Sequence, residues 1–174
     1  MVFVIASTAK QSQQLMVRLP RSVRVLGLPR NDKYISLNLY MENEFEEQNN
    51  KELSRFRIYK LTNGFEVWVG KDSSANDLLT MKYSKQNDLW FHVRGAAGSH
   101  TVLKLPEVYD VIPKEHIKTA AAIAAYHSKA KNAKNVTVAY TEAKNVQKYK
   151  GAKSGSVVIK NEKTVKVNPE VPAS

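Results

Sequence analysis

Cysteine is absent from the 174-residue sequence, and no run of apolar residues is long. Without cysteine the chain can form no disulfide, no thiolate metal site and no thiol nucleophile. The longest apolar run, Ala120–Tyr126, has about seven residues, whereas a membrane-spanning helix needs roughly 20. The composition therefore excludes a membrane-spanning helix, and we expect a cytoplasmic protein with no membrane partner.

Acidic residues are scarce in the first 40 positions, where Asp32 is the single acid. The string Val4–Ser12 resembles the translation of a dispersed bacterial intergenic repeat, which would place the native start at Met41. A basic, acid-poor segment is also typical of a mitochondrial presequence. In either case we expect residues 1–50 to be a loosely packed extension, 51–168 to be the folded domain and 169–174 to be a tail.

Positive charge is in excess and lies mainly in the C-terminal part. Lysine and arginine number 27 against 16 aspartates and glutamates, a net charge of +11. Residues 111–174 hold twelve basic and four acidic residues, a net +8. A basic region of this kind predicts a polyanionic partner, of which nucleic acid is the commonest. The alternative is a charged surface that only keeps the protein in solution.

Hydrophobic periodicity predicts an α+β fold. Alternation on both sides of Asn63-Gly64 indicates a hairpin, and a short helix can start near Ser74. An alanine-rich helix is expected from Pro113 to about Ala130, packed closely on a sheet. The predicted strands cover residues 55–60, 65–69, 88–93, 99–105, 136–140, 157–159 and 164–167. This order predicts one domain with a mixed, mostly antiparallel sheet and two helices.

Three motifs in the same order resemble the NFACT-R domain, the RNA-binding domain of the NFACT family, over about residues 55–168. The sequence stretches that carry the likeness are Gly64–Lys71 with Asn76-Asp77, Asp88–His92 with Gly98-Ser99-His100, and Lys150–Gly155 with Lys163-Thr164-Val165. The family usually has prolines where this chain has Ala97, Tyr149 and Ser154. The missing prolines predict less rigid loops.

The resemblance implies a stand-alone, non-catalytic RNA-binding module. Large NFACT proteins act in ribosome quality control, where they bind large ribosomal subunits carrying an obstructed peptidyl-tRNA. They add an N-terminal domain and long coiled coils that have no counterpart in this sequence, so their peptide-tailing activity is not implied here. The expected partner is ribosomal RNA or transfer RNA. The alternatives are DNA, and a larger NFACT-like protein that the module completes in trans.

A lysine-rich segment supplies the first group of candidate binding residues. Lysines neutralise phosphates, and a tyrosine offers a stacking face to an unpaired base. The alternative is a solvated loop. The candidates here are Lys144, Lys148, Tyr149, Lys150 and Lys153, with Lys71 ranked below them. Lysines at 129, 131 and 134 are explained by the dipole of the preceding helix alone.

A second group of candidates surrounds the glycine-containing turn at residues 95–98. If the strands on either side pair, His92 and His100 share one face of the sheet with Trp90. Arg94, Gly98 and Ser99 can join them to hold a phosphate or an unstacked base. The alternative is that Trp90 is core beneath the alanine-rich helix and the histidines satisfy backbone groups.

Catalysis is the least favoured function. The histidine spacing matches no standard zinc pattern, and Ser99 and His100 point to opposite faces of a strand, which rules out a serine–histidine pair. A hydrolase that uses His92 and His100 remains the alternative from another class. We expect no catalytic residues, no metal and no cofactor.

Overall fold

The computed structural model describes residues 43–172 and divides the chain into two units, residues 1–46 and 47–174. Helix α1 covers residues 43–53, and its side chains are exposed from 43 to 51. The rest of the predicted N-terminal extension, including the proposed start at Met41, lies outside the described residues. Within the described part no helix is long and apolar enough to cross a bilayer.

The second unit is an α+β domain, as predicted, built on a six-stranded sheet. Neighbouring strands follow the order β1-β2-β4-β3-β5-β8, and every pair of neighbours is antiparallel. A separate ribbon joins β6 to β7. The strands are β1 Phe56–Lys60, β2 Glu66–Gly70, β3 Leu89–Val93, β4 Thr101–Lys104, β5 Val136–Glu142, β6 Val146–Gln147, β7 Val158–Ile159 and β8 Lys163–Val167.

The predicted hairpin is confirmed between β1 and β2. Asn63 and Gly64 adopt φ angles of 57° and 76°, in the left-handed region that asparagine and glycine tolerate best. The register pairs Phe56 with Gly70 and Lys60 with Glu66. The Asn-Gly pair therefore fixes which residues of the two strands face each other.

One face of the sheet is covered by the predicted alanine-rich helix, α3, which runs over Lys114–Tyr126. Its alanines at 120, 121, 124 and 125 are buried against strand residues that include Phe91 and Leu103. Small side chains let the helix axis lie close to the sheet. The helix ends four residues before the predicted boundary, and its final turn leads into a loop.

The opposite face is covered by α2, Ser73–Leu78, and by the π-helical turn Leu79–Tyr83 that continues it. The Asp72 carboxylate caps α2 by accepting a hydrogen bond from the Ala75 amide at 2.7 Å. Leu79 packs with Trp90 and Phe56 in a second apolar cluster. Trp90 is therefore core, but beneath α2 and not beneath the alanine-rich helix.

Two features extend beyond the predicted elements. Within the described residues there are three helices and not two, because α1 was not predicted. At the other end, the Glu170 amide donates to the Ala122 carbonyl at 3.3 Å, and Val171 packs against the core beneath α3. The packed region thus reaches into the segment that was expected to be a tail.

Candidate nucleic-acid interface

Strand pairing brings the two predicted histidines together on the face of the sheet opposite α3. The β3–β4 register sets Trp90 opposite Val102 and Phe91 opposite Thr101. Continued by one residue, it places His92, near the end of β3, beside His100. The imidazole centroids of the two histidines lie 5.8 Å apart, and the Trp90 ring is 5.8 Å from His92 and 5.0 Å from His100. The alternation along the strands thus predicted this three-ring cluster.

His100 is the buried centre of a hydrogen-bond network. Its Nε2 lies 3.0 Å from the Gly155 carbonyl, which only accepts, so Nε2 carries the proton and Nδ1 accepts from the Thr80 hydroxyl at 2.8 Å. Thr80 Oγ1 in turn accepts from the Trp90 indole N–H at 3.2 Å. Burial and the neighbouring His92 lower the pKa of His100 to about 4. His100 is therefore neutral at pH 7 and tethers the glycine-containing segment to the sheet.

His92 and Arg94 face an open groove of about 610 Å³ beside this network. The His92 ring is half-buried, and burial lowers its pKa. Arg94 is exposed and forms an ion pair with Glu162, with Nη2 and Oε1 3.0 Å apart. The other lining residues are Trp90, Val93, Gly95, Ala96, Ala97, His100, Ala139, Gly155, Ser156, Val157 and Ile159.

The lysine-rich segment is anchored to α2 by one carboxylate. Asp77 Oδ2 accepts from Lys148 Nζ at 2.6 Å, and Asp77 Oδ1 accepts from the Gly155 amide at 3.1 Å. Burial disfavours the charged form of Asp77, but the hydrogen bonds from Lys148 and Gly155 outweigh it and lower the Asp77 pKa. Lys148 is therefore neutralised and serves to hold the segment in place.

Close approach requires glycine at position 155. Gly155 has a φ of 78°, and a Cβ there would lie 3.3 Å from the side chain of Ser73. Any other residue would be strained at this φ angle, and its Cβ would crowd Ser73. The glycine thus contributes to the same anchor as Asp77.

The tip of the segment is displayed to solvent. Tyr149 is 59% exposed, and the side chains of Lys150 and Lys153 are also exposed. Within residues 43–172 neither of these two lysines forms an ion pair, whereas Lys144 pairs with Glu142 at 2.5 Å. Of the four predicted lysines in this segment, Lys150 and Lys153 are exposed without an ion pair, and the other two are paired with carboxylates.

The remaining predicted residues border a second depression. Lys71, Gly98 and Ser99 line it, and Lys71 Nζ donates to the Ser54 carbonyl at 2.6 Å. Lys129 and Lys131 also line this depression, although the sequence alone explained them by the helix dipole. Ala97 lines both depressions, so the predicted residues fall into two adjoining areas and the displayed tip.

Four residues of this region were not among the sequence candidates: Asn76, Asp77, Thr80 and Glu162. Asn76 Oδ1 accepts from the His100 amide at 3.0 Å and so fixes the start of β4. The sequence did offer a signal for Asn76 and Asp77, because they form a polar pair in a short helix that is otherwise apolar on one side. No sequence pattern indicated that Glu162 would lie beside Arg94.

The fold and this region define a basic α+β module with a groove and a lysine-bearing segment on one face of its sheet. Residues 55–161 match the family model described as the NFACT protein RNA binding domain, which is more than half of the chain. The chain belongs to this family, and the predicted resemblance is confirmed. The family is described by RNA binding and not by a catalytic activity.

Individual relatives agree with this assignment. The chain is 40% identical over 113 residues to the Rqc2 homolog RqcH of Bacillus subtilis, covering 64% of this chain and 19% of the relative. It is 31% identical over 106 residues to coiled-coil domain-containing protein 25 of Mus musculus, and the match covers 59% of this chain and 50% of the relative. The chain thus spans about a fifth of the bacterial relative and half of the mouse one.

A solved structure has a similar fold. The C-terminal part of the fibronectin/fibrinogen-binding protein from Streptococcus suis superimposes with a TM-score of 0.59 at 38% identity. The match covers 67% of this chain and 46% of that chain. The similarity therefore extends over the domain described here and leaves part of the other chain unmatched.

Proposed function

We propose that this protein is a non-catalytic module that binds single-stranded RNA and acts in the cytoplasm on ribosomal RNA or transfer RNA. The observation that carries the proposal is the displayed tip formed by Tyr149, Lys150 and Lys153, held beside the groove by Asp77. Two unpaired lysines can neutralise phosphates, and the tyrosine ring can stack on a base. The family description supports RNA as the partner, and the proposed role in rescuing stalled translation follows from the resemblance to the large NFACT proteins.

The groove supplies the second half of the proposed interface. His92 offers a half-buried ring, and Arg94, which is paired with Glu162, lies at the rim. RNA-binding proteins recognise unpaired bases by stacking and by hydrogen bonds to base edges, which a duplex would hide. A strand whose phosphates contact Lys150 and Lys153 could place a base in this groove, because Gly155 links the tip to the groove wall.

In this proposal the candidate residues have two different roles, positioning the interface and contacting the RNA. Lys148 and His100 act as positioning residues, since both are occupied by internal partners. The proposal assigns the phosphate contacts to Lys150 and Lys153, with Lys71 and the lysines at 129 and 131 as an adjoining basic area.

Salt-dependent binding of a labelled single-stranded RNA tests the proposal. The logarithm of the affinity should fall with the logarithm of the salt concentration, with a slope of about −0.7 per phosphate contacted. The K150A/K153A double variant should weaken binding by about 1 kcal/mol or less per lysine and should reduce the slope. The matched control is K114A/K118A, which removes two lysines from α3 on the other face.

Equal loss of affinity in both double variants would mean that net charge alone matters and would contradict the assigned site. Tighter binding of a duplex DNA of the same length would favour the DNA alternative. A flat salt dependence would favour a protein partner. Sedimentation of the protein with large ribosomal subunits, lost after nuclease treatment, is the expected result for ribosomal RNA as the partner.

A further inference from the structure

The rim of the groove carries a carboxylate. Its negative charge is unexpected on an RNA-binding surface, because it would repel the phosphates of the RNA. Glu162 is 34% exposed, in the turn between β7 and β8, and lines the groove directly. Arg94 holds it at 3.0 Å through Oε1. Among residues 43–172, Glu162 Oε2 has no hydrogen-bond partner, and Oε1 keeps a second lone pair besides the one that faces Arg94, so both oxygens can accept a hydrogen bond from a ligand.

The interior of the groove suits a flat ring. Trp90 is only 2% exposed and cannot itself stack on a ligand, but it stacks on His92 with an angle of 14° between the ring planes. His92 is half-buried and lines the groove, so the part of its ring that borders the groove can contact a third ring. Apolar side chains such as Val157 and Ile159 form part of the wall. The volume of about 610 Å³ lies within the roughly 300–1,000 Å³ typical of small-ligand sites.

The carboxylate selects among the four bases by its chemistry. An ionised carboxylate only accepts hydrogen bonds, through two oxygens. Guanine presents two adjacent donors on its Watson–Crick edge, N1–H and the N2 amino group. Adenine and cytosine each present one amino group on that edge, and uracil presents one N3–H. Guanine is thus the base that can engage both carboxylate oxygens at once.

We propose, as an extension of the RNA-binding function above, that the groove is a guanine subsite in which Glu162 determines base specificity. The guanine ring stacks on His92, and its N1–H and N2 amino group donate to the Glu162 carboxylate. Arg94 positions Glu162 and keeps its carboxylate from meeting the RNA backbone as an uncompensated charge. Lys150 and Lys153 supply the sequence-independent contacts to the flanking phosphates.

The test compares three short oligoadenylate RNAs that differ only at the central nucleotide, which is guanosine, inosine or adenosine. Inosine keeps the N1–H of guanine and lacks its N2 amino group. The intact protein should bind the guanine RNA about tenfold more tightly than the adenine RNA, with inosine between them. The E162Q variant should lose the preference for guanine, because an amide places a donor against one of the guanine donors and can instead pair with the N6 amino group and the N1 acceptor of adenine.

E170Q is the matched control, since Glu170 lies beside α3 on the other face of the sheet and should leave the preference unchanged. Thermal unfolding of both variants shows whether the fold is intact. If the intact protein binds all three RNAs with equal, salt-dependent affinity, the guanine subsite is overturned and the RNA-binding function stands. A preference that survives in E162Q would overturn the role of Glu162. Failure of the intact protein to bind any of the RNAs would overturn the RNA-binding function and this inference together.

Discussion

The two faces of the sheet are built on different principles. Beneath α3 the buried residues are almost all apolar, and four alanines allow close contact between helix and sheet. On the other face an apolar cluster is combined with buried polar groups, of which His100, Thr80 and Asn76 are joined by hydrogen bonds. Apolar packing supplies stability without direction, whereas hydrogen bonds fix where a segment lies. The polar face is the one that positions the lysine-rich segment.

The largest expected difference between the faces is in their response to pH. The pKa of His100 falls from its ordinary 6.5 to about 4 in the folded protein, so the unfolded chain binds more protons between these values. The free energy of unfolding should therefore be highest above pH 6.5 and decrease as the pH falls towards 4, by about 3 kcal/mol from this residue. Urea unfolding at a series of pH values measures it.

His92 and His127 also have lowered pKa values because of burial and add to the same trend. The comparison that isolates His100 is therefore with H100Q, which cannot titrate at this position. The difference in unfolding free energy between the two proteins should shrink as the pH falls from 6.5 to 4. A constant difference over this range would show that folding does not lower the pKa of His100 and would contradict the network described here.

The same substitution on each face should have opposite effects. Thr80→Val removes the partner of both the His100 ring and the Trp90 indole, which should cost about 2 kcal/mol. Thr101 faces α3, and its hydroxyl is buried with no hydrogen-bond partner among the described residues. Thr101→Val should therefore stabilise the protein by about 1 kcal/mol. Chemical denaturation of both variants at pH 7 measures the two changes in the free energy of unfolding. Changes of the same sign in both variants would contradict the proposed difference between the faces.

Much of the α3 face could be predicted from the sequence, because its signals are local. Alternation gave the strands, Asn63-Gly64 gave the hairpin, and the alanine run gave the helix with its buried face. Each signal lies within a few residues, where backbone geometry and burial act directly. The exposed helix α1 has no buried face over residues 43–51, so it carried no such pattern.

The polar face was harder to predict, because its contacts join residues far apart in the sequence. Lys148 and Asp77 are 71 positions apart, and Gly155 and His100 are 55 apart. Composition indicated a basic segment but could not show that one carboxylate neutralises Lys148 while leaving Lys150 exposed. Strand β7 was predicted, but β6 has only two residues and gave too little periodicity to predict the ribbon that joins them.

A smaller effect should follow from loosening the anchor. Asp77→Asn keeps the shape of the side chain but removes the charge that holds Lys148, and it should cost about 1 kcal/mol of stability because the pair is partly exposed. Amide hydrogen exchange should rise in residues 148–156 and stay unchanged in α3. Asp110→Asn, at an exposed position, is the control. Equal exchange in the variant and the original protein would mean that the segment is held by its apolar contacts alone.

The smallest effect on stability, and the most direct test of the displayed tip, is expected for Tyr149→Ala. The side chain is 59% exposed, so the free energy of unfolding should change by less than about 0.5 kcal/mol. Affinity for single-stranded RNA should nevertheless fall by about 1 kcal/mol, because a base would lose its stacking partner. Tyr149→Phe keeps the ring and should bind as the original protein does. Equal affinities for the alanine and phenylalanine variants would show that the tip contributes charge but no stacking, which leaves His92 as the ring available to a base.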